Sequence, residues 1–204
     1  MNHLEGIKKI HNEYFVLRHG QSKANVAGIV ISHLENGIKD DYSLTEEGEN
    51  QVRKSVQEAK DSGVLDNKII IYSSPFSRCK KTAEIAKEVL GLENEIIFDD
   101  RLRERFFGDW EKKSHSAYQN VWDIDEKNPV HKEANVESTT EVLKRTTSLI
   151  KDLEEKYKGK KILLVSHGDA LQILQTGFHK VSSAFHRKLK HLETAEVRKL
   201  DLNE

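Results

Sequence analysis

The stretch Glu13-Tyr14-Phe15-Val16-Leu17-Arg18-His19-Gly20-Gln21-Ser22 decides the fold. Its short apolar run has the character of a buried strand, and it stops abruptly at Arg18-His19-Gly20. In an open α/β sheet, ligands bind beyond the carboxyl ends of the strands. A strand that delivers Arg and His there and then breaks at glycine is a candidate binding edge. Taken alone the tripeptide is equally a strand ending on two polar residues, so the rest of the chain must decide.

Working outward, residues 1–12 form a polar lead-in, and 21–41 a loop or short helix punctuated by Gly28 and Gly37. Thr45 reads as the N-cap of a helix to about Ser62, with Glu46 and Glu47 in its first turn and Val52, Val56 and Ala59 on one face. Lys68–Tyr72 is a second buried strand. Ser73-Ser74-Pro75 then opens a helix through Arg78 to Leu90, closed by Gly91. A third strand over 95–98 leads into the extended run Arg101–Trp110. Residues 111–137 are polar and show no clear period, which suits an excursion covering a site. A long amphipathic helix follows over 139–158, with Val142, Leu149, Leu153 and Tyr157 along an apolar face that suits ordinary core. Lys161–Ser166 is a fourth strand, and His167-Gly168-Asp169 begins another helix. The alternating tail Ala195–Leu200 suits an edge strand. Strands alternate with helices almost throughout, so the expected fold class is α/β, a mainly parallel sheet with helices on both faces. No linker or repeat interrupts residues 1–204, which implies a single domain with 111–137 as its lid or insertion.

Bulk properties narrow the function. The 204 residues carry a formal net charge of -1, with 33% charged and 36% hydrophobic residues. There is no general attraction for nucleic acid or an anionic membrane, and no apolar run approaches the roughly 20 residues of a membrane span. The amino terminus has no hydrophobic signal region, and the one cysteine, Cys79, permits no intrachain disulfide, so a cytoplasmic location is expected. The ten histidines are scattered, without zinc-like spacing.

In a parallel sheet the carboxyl ends of the first, second and fourth strands converge, bringing Arg18, His19, Arg78 and His167 around one small volume beside a helix N-terminus. That pocket suits a tetrahedral anion such as phosphate. A neutral imidazole there can attack phosphorus, and Arg18 and Arg78 would disfavour its protonation while neutralising the phosphoryl oxygens. Glu104 is the candidate proton donor for the leaving alkoxide. Alternation in an extended segment would turn Arg103 and Arg105 away from it. Other phosphatase chemistries lack their residues: Ile85 stands six positions after Cys79 where a cysteine phosphatase needs Arg, Asp99-Asp100 is not Asp-x-Asp, and no Gly-rich Lys-Ser/Thr loop occurs.

Five blocks carry a resemblance: Arg18-His19-Gly20-Gln21-Ser22 with Asn25; Leu44-Thr45-x-x-Gly48 with Gln51; Ser73-Ser74-Pro75-x-x-Arg78-Cys79-x-x-Thr82-Ala83; Leu102-x-Glu104-x-x-x-Gly108-x-Trp110-Glu111; and Val165-Ser166-His167-Gly168. In this order they resemble the histidine phosphatase superfamily, in its phosphoglycerate-mutase-like branch, from about Tyr14 to Phe178. The resemblance implies a three-layer α/β/α sandwich and catalysis without metal or other cofactor. It implies that His19 becomes phosphorylated, that Arg18, Arg78 and His167 form the phosphate pocket, and that Glu104 is the acid/base carboxylate. It further implies substrate contacts from Gln21, Ser22, Asn25 and Gly168. Ser22 and Ala24 depart from the acid-phosphatase branch, and Lys112 replaces the glycine that often follows Trp-Glu. The length favours a phosphatase acting on a small phosphorylated substrate. Phosphoglycerate-mutase-type transfer and a non-catalytic phospho-ligand binding module are the alternatives. The basic residues Arg187, Lys188 and Lys190 read as a solvated helix face that could also meet a second anionic group. The sequence sets neither the substrate nor the oligomeric state.

Overall fold

A computed structural model describes residues 1–203. Five strands are ordered β3-β2-β4-β1-β5: β1 (Glu13–Arg18), β2 (Ile70–Ser73), β3 (Ile97–Phe98), β4 (Lys161–Ser166) and β5 (Val197–Leu200). All pair in parallel except β5, which runs antiparallel to β1 at one edge.

The sheet is covered on both faces, which is why β1 and β4 are nearly unbroken apolar runs rather than alternating ones. Phe15, Leu17, Leu163 and Val165 point to one face, where they meet Val52 and Val56 of α3 (Glu46–Asp61) and Ala83, Ile85 and Leu90 of α4 (Ser77–Leu90). Tyr14, Val16, Ile162 and Leu164 point to the other, against Leu149, Ile150 and Leu153 of α6 (Thr139–Lys156) and Leu171, Leu174 and Phe178 of α7 (Gly168–Phe178). The result is the three-layer sandwich expected. Two short helices, α1 (Lys23–Ala27) and α2 (Leu34–Gly37), follow β1, and α5 (Ala117–Asp125) lies before α6.

The helix ends follow local chemistry. Thr45 Oγ1 accepts the Gly48 N–H at 3.0 Å, and three glutamates occupy the first turn of α3. Gly91 closes α4 in the left-handed conformation, φ 70°. Ser138 and Glu141 form a reciprocal capping box on α6.

The structure differs from the sequence reading in three places. The helix after Pro75 begins only at Ser77, because Ser74 and Pro75 form a turn in which the Phe76 N–H donates to Ser74 Oγ at 3.3 Å. The third strand keeps only two residues at the sheet edge. The excursion 111–137 is not featureless: α5 buries Ala117, Val121 and Asp125, one residue per turn. A carboxylate in the third position of that stripe hides its period from a hydrophobic pattern.

Candidate active site

The parallel register sets Arg18 opposite Ser166 and Ser73 opposite Val165, so the strand ends of β1, β2 and β4 lie side by side. The residues just past them, His19, Ser74 and His167, therefore meet, and α4 brings Arg78 between the two rings.

The hydrogen bonds fix both tautomers. His19 Nδ1 lies 2.8 Å from the Gly20 carbonyl, which can only accept, so the hydrogen sits on Nδ1 and Nε2 carries no proton. That Nε2 accepts from Arg78 Nε at 3.1 Å. His167 Nδ1 accepts from the same Arg78 Nε at 3.1 Å, leaving its Nε2–H to donate to Ser74 Oγ at 2.8 Å. Burial, followed by the Arg78 charge, holds both imidazoles well below their usual range, so both are neutral near pH 7. Cys79 packs beside them with Sγ 3.4 Å from His167 Nε2, and burial pushes its thiol up, away from reactivity.

Two arginines line the same cleft. Arg78 Nη2 donates to the Ile31 carbonyl at 2.9 Å and Arg18 Nη1 to the Leu192 carbonyl at 2.7 Å. Arg78 Nη1 and Arg18 Nε are buried and make no hydrogen bond within the described protein. Unpaired buried donors are costly, and two such arginines lining one cleft suit an anion that satisfies both.

Glu104 is buried across from them. Its Oε1 accepts the backbone N–H of Arg105 at 2.8 Å and of Ala170, in the first turn of α7, at 3.2 Å. Burial, then the adjacent Asp169 charge, raises its carboxyl above the usual range against the pull of Arg78 and the two amides. It can therefore carry a proton at a pH where an exposed glutamate would not.

A cleft of about 210 Å³ opens over these groups. Arg18, His19, Ser22, Asn25, Arg78, Glu104 and Gly168 line it. Ser22 and Asn25 also cap α1 on each other: Asn25 Oδ1 accepts from the Ser22 hydroxyl at 2.9 Å and from its backbone N–H at 3.0 Å. His167 lies behind the wall, its ring 5.3 Å from that of His19. Gln21 lies outside the lining. Its side chain accepts from Thr45 Oγ1 at 3.0 Å and its backbone N–H donates to Gln51, so it ties β1 to the start of α3. Tyr118 and Trp122 of α5, Asp169, Arg187 and His191 complete the lining. Arg187 thus faces the cleft rather than solvent, whereas Lys188 pairs with Glu126. Among the described residues, no group of three or more His, Cys, Asp or Glu could hold a metal ion, and no helix is long and apolar enough to cross a membrane.

A buried ionic network holds α5 over the cleft. Arg105 is fully buried and grips Asp125 through two hydrogen bonds of 2.6 and 2.7 Å, reaches Asp169 at 3.2 Å, and donates to the Glu137 carbonyl at 2.7 Å. His131 Nε2 lies 2.7 Å from Asp125, and Trp122 Nε1 donates to Asp169 at 3.0 Å. The Arg105 guanidinium thus serves as counterion to Asp125 of the covering helix and to Asp169, and it makes no hydrogen bond to the Glu104 carboxylate. Substituting Arg105→Leu would leave buried carboxylates unpaired, and a loss of about 3–5 kcal/mol is expected. Urea denaturation checks this, and a change below about 1 kcal/mol would show that the network does not hold the fold together.

Fold and site together define an α/β phosphoryl-transfer protein built around a neutral imidazole. The family model described as histidine phosphatase superfamily, branch 1, matches residues 14–204, and the chain belongs to that family. A putative phosphoserine phosphatase 2 of Hydrogenobacter thermophilus is 34% identical over 166 residues, covering 78% of this chain and 75% of its own. A probable phosphoglycerate mutase GpmB of Escherichia coli is 28% identical over 202 residues, covering 94% and 86%. Among solved structures, a mycobacterial glucosyl-3-phosphoglycerate phosphatase aligns with a TM-score of 0.74 at 22% identity, over 92% of this chain and 88% of that one. A phosphoserine phosphatase of Entamoeba histolytica in complex with 3-phosphoglyceric acid aligns with a TM-score of 0.70 at 24% identity, over 92% and 89%. These two likenesses concern the fold.

Proposed function

We propose that the protein hydrolyses phosphomonoesters of small molecules through a phosphohistidine at His19, with Glu104 as proton donor. The observation that carries this reading is the unprotonated Nε2 of His19, oriented by the Gly20 carbonyl and engaged only by Arg78 Nε, in a cleft that Arg18 and Arg78 also line, each with an unpaired buried donor. The substrate phosphate would lie against those donors and the start of α7 at Gly168. Nε2 attacks phosphorus as the ester P–O bond breaks, and the departing alkoxide takes the Glu104 proton. Water then attacks the phosphohistidine while the Glu104 carboxylate accepts its proton, the N–P bond breaks, and inorganic phosphate leaves. Arg78 and His167 position the nucleophile. The cleft volume, below the roughly 300–1,000 Å³ of pockets for drug-sized ligands, favours a small metabolite. The unpaired Cys79 fits a cytoplasmic setting. The relative named a phosphoserine phosphatase supports hydrolysis, and the one named a probable mutase keeps phosphoryl retransfer as a second reading.

The experiment is a rapid quench with a radiolabelled phosphate ester. A label that stays on the protein in alkali and is lost in acid identifies phosphohistidine. Release of inorganic phosphate faster than interconversion of phosphoglycerates supports the hydrolase, and the reverse order supports the mutase. A protein that turns over ester with no trapped label overturns the covalent mechanism.

A further inference from the structure

Six arginines, Arg53, Arg101, Arg103, Arg105, Arg145 and Arg198, pair with carboxylates within the protein. The remaining three, Arg18, Arg78 and Arg187, pair with none among the described residues, and all three line the one cleft. A phosphate held beside His19 accounts for Arg18 and Arg78. It leaves Arg187 over.

Arg187 is not loose. It lies in the 3₁₀ turns of Ser183–Lys188, half-buried, with its guanidinium 3.8 Å over the centre of the Trp122 ring. Trp122 is itself fixed by its bond to Asp169. Asp169 is already engaged by Arg105 and Trp122 and makes no ion pair with Arg187. The cation is therefore fixed at the wall of the cleft without a direct ion-pair partner, its charge reaching Asp169 only across a distance.

His191 adds a second observation. Arg18 Nη1 lies 3.2 Å from its Nε2, and Arg187 Nη1 lies 3.4 Å from its Nδ1. A neutral imidazole can accept at one nitrogen only, and guanidinium groups only donate. One side of His191 must therefore present an N–H to another donor. An acceptor placed between His191 and Arg187 would relieve that mismatch.

We infer that Arg187 and His191 form a subsite for a second anionic group of the substrate, a carboxylate or a second phosphate carried on the same short molecule as the ester phosphate. The inference rests on the hydrolase reading and sharpens it: the preferred substrates are small phosphate esters with two anionic ends. The Arg187 fork supplies paired donors to the second anion, and His191 orients that fork and links it to the phosphate pocket through Arg18.

The test compares 3-phosphoglycerate with glycerol 3-phosphate, which differ by a carboxylate against a neutral hydroxymethyl group. 1,3-Propanediol bisphosphate is the arm for a second phosphate. The wild type is expected to favour at least one dianionic-ended ester over glycerol 3-phosphate by about tenfold or more in kcat/KM, mostly through KM. Arg187→Gln should reduce that ratio by about 10–100-fold, and Arg187→Lys should restore part of it. Which of the two esters is preferred identifies the second anion. A wild-type ratio near one for both esters, or equal losses on all esters in Arg187→Gln, overturns the subsite. Equal losses would mean that Arg187 merely supports Trp122. If no ester is turned over, the hydrolase reading fails by itself. Calorimetric affinities of the same esters for the wild-type and Arg187→Gln proteins then decide the subsite separately.

Discussion

Replacing His19 with alanine should reduce phosphomonoester turnover by about 10⁴-fold or more, the scale on which loss of a covalent nucleophile is felt. The reason is local. His19 Nε2 is the nitrogen whose lone pair is bound neither to a proton nor to a backbone donor, and nothing else at the strand ends could replace it. His167 Nε2 is committed to Ser74, and the Cys79 thiol is held protonated by burial. The fold should survive, because Arg78 keeps its bonds to His167 and the Ile31 carbonyl when the His19 ring is removed. Inorganic phosphate should still bind the variant through Arg18 and Arg78, which calorimetry would read. Turnover of an aryl phosphate within tenfold of wild type, by correctly folded variant protein, would end the assignment. The pH dependence has a definite sign. The imidazole is held below its ordinary value of 6.5, so it stays unprotonated to lower pH than a free histidine, and any acid limb due to His19 must lie below that value.

What the sequence makes legible has a physical pattern. Strands buried on both faces must be continuous apolar runs, and they end where polar residues begin. β1 and β4 are therefore readable to the residue, and with them Arg18, His19 and His167. Glu104 is legible through its motif, and its burial supplies the proton affinity that the motif leaves unstated. Gln21 shows the limit of carrying roles along a motif: it shares the loop with Ser22 and Asn25, but its side chain faces Thr45 and pins β1 to α3. The far wall of the cleft is hidden for a different reason. Tyr118 and Trp122 sit on a helix whose buried stripe includes Asp125, and that carboxylate is held there by Arg105, distant in sequence, as its counterion, with His131 beside it. Arg187 and His191 belong to a tail segment without strand or helix period, where a basic residue looks like any solvated cation. Only the pairing of the other six arginines with carboxylates shows it to be set apart.

The same division of labour explains how one cleft can hold so much positive charge. Arg105 pairs with both Asp125 and Asp169 in the layer beneath, which ties those carboxylates to their own counterion rather than to Arg18 and Arg78. Asp169 also stands next to Glu104. Burial alone would raise the Asp169 carboxyl, but His186, Arg105 and Arg187 hold it well below the usual range. It therefore stays charged and helps keep Glu104 protonated. On the proposed mechanism, the proton donor is tuned by burial and by a neighbouring carboxylate that takes no part in the transfer.

That arrangement predicts the behaviour of Glu104→Gln. Glutamine keeps the shape and an oxygen for the Arg105 and Ala170 amides, so the substitution removes the proton and little else. In the burst phase, transfer from an alkyl phosphate, whose leaving group needs a proton, should slow by about 10²–10⁴-fold. Transfer from an aryl phosphate with a stable phenolate should slow by less than about tenfold, because that oxygen can depart unprotonated. Hydrolysis of the phosphohistidine should slow for both, since water then lacks its base, and labelled phosphoenzyme should accumulate. The pH profile for the alkyl ester should change as well. In the wild type Glu104 is raised by burial and by Asp169, so its protonated form persists above the ordinary glutamate range and activity falls as pH rises through the shifted value. In Glu104→Gln that alkaline limb should vanish. Equal burst-phase losses on both esters, with the limb unchanged, would mean that the proton comes from elsewhere.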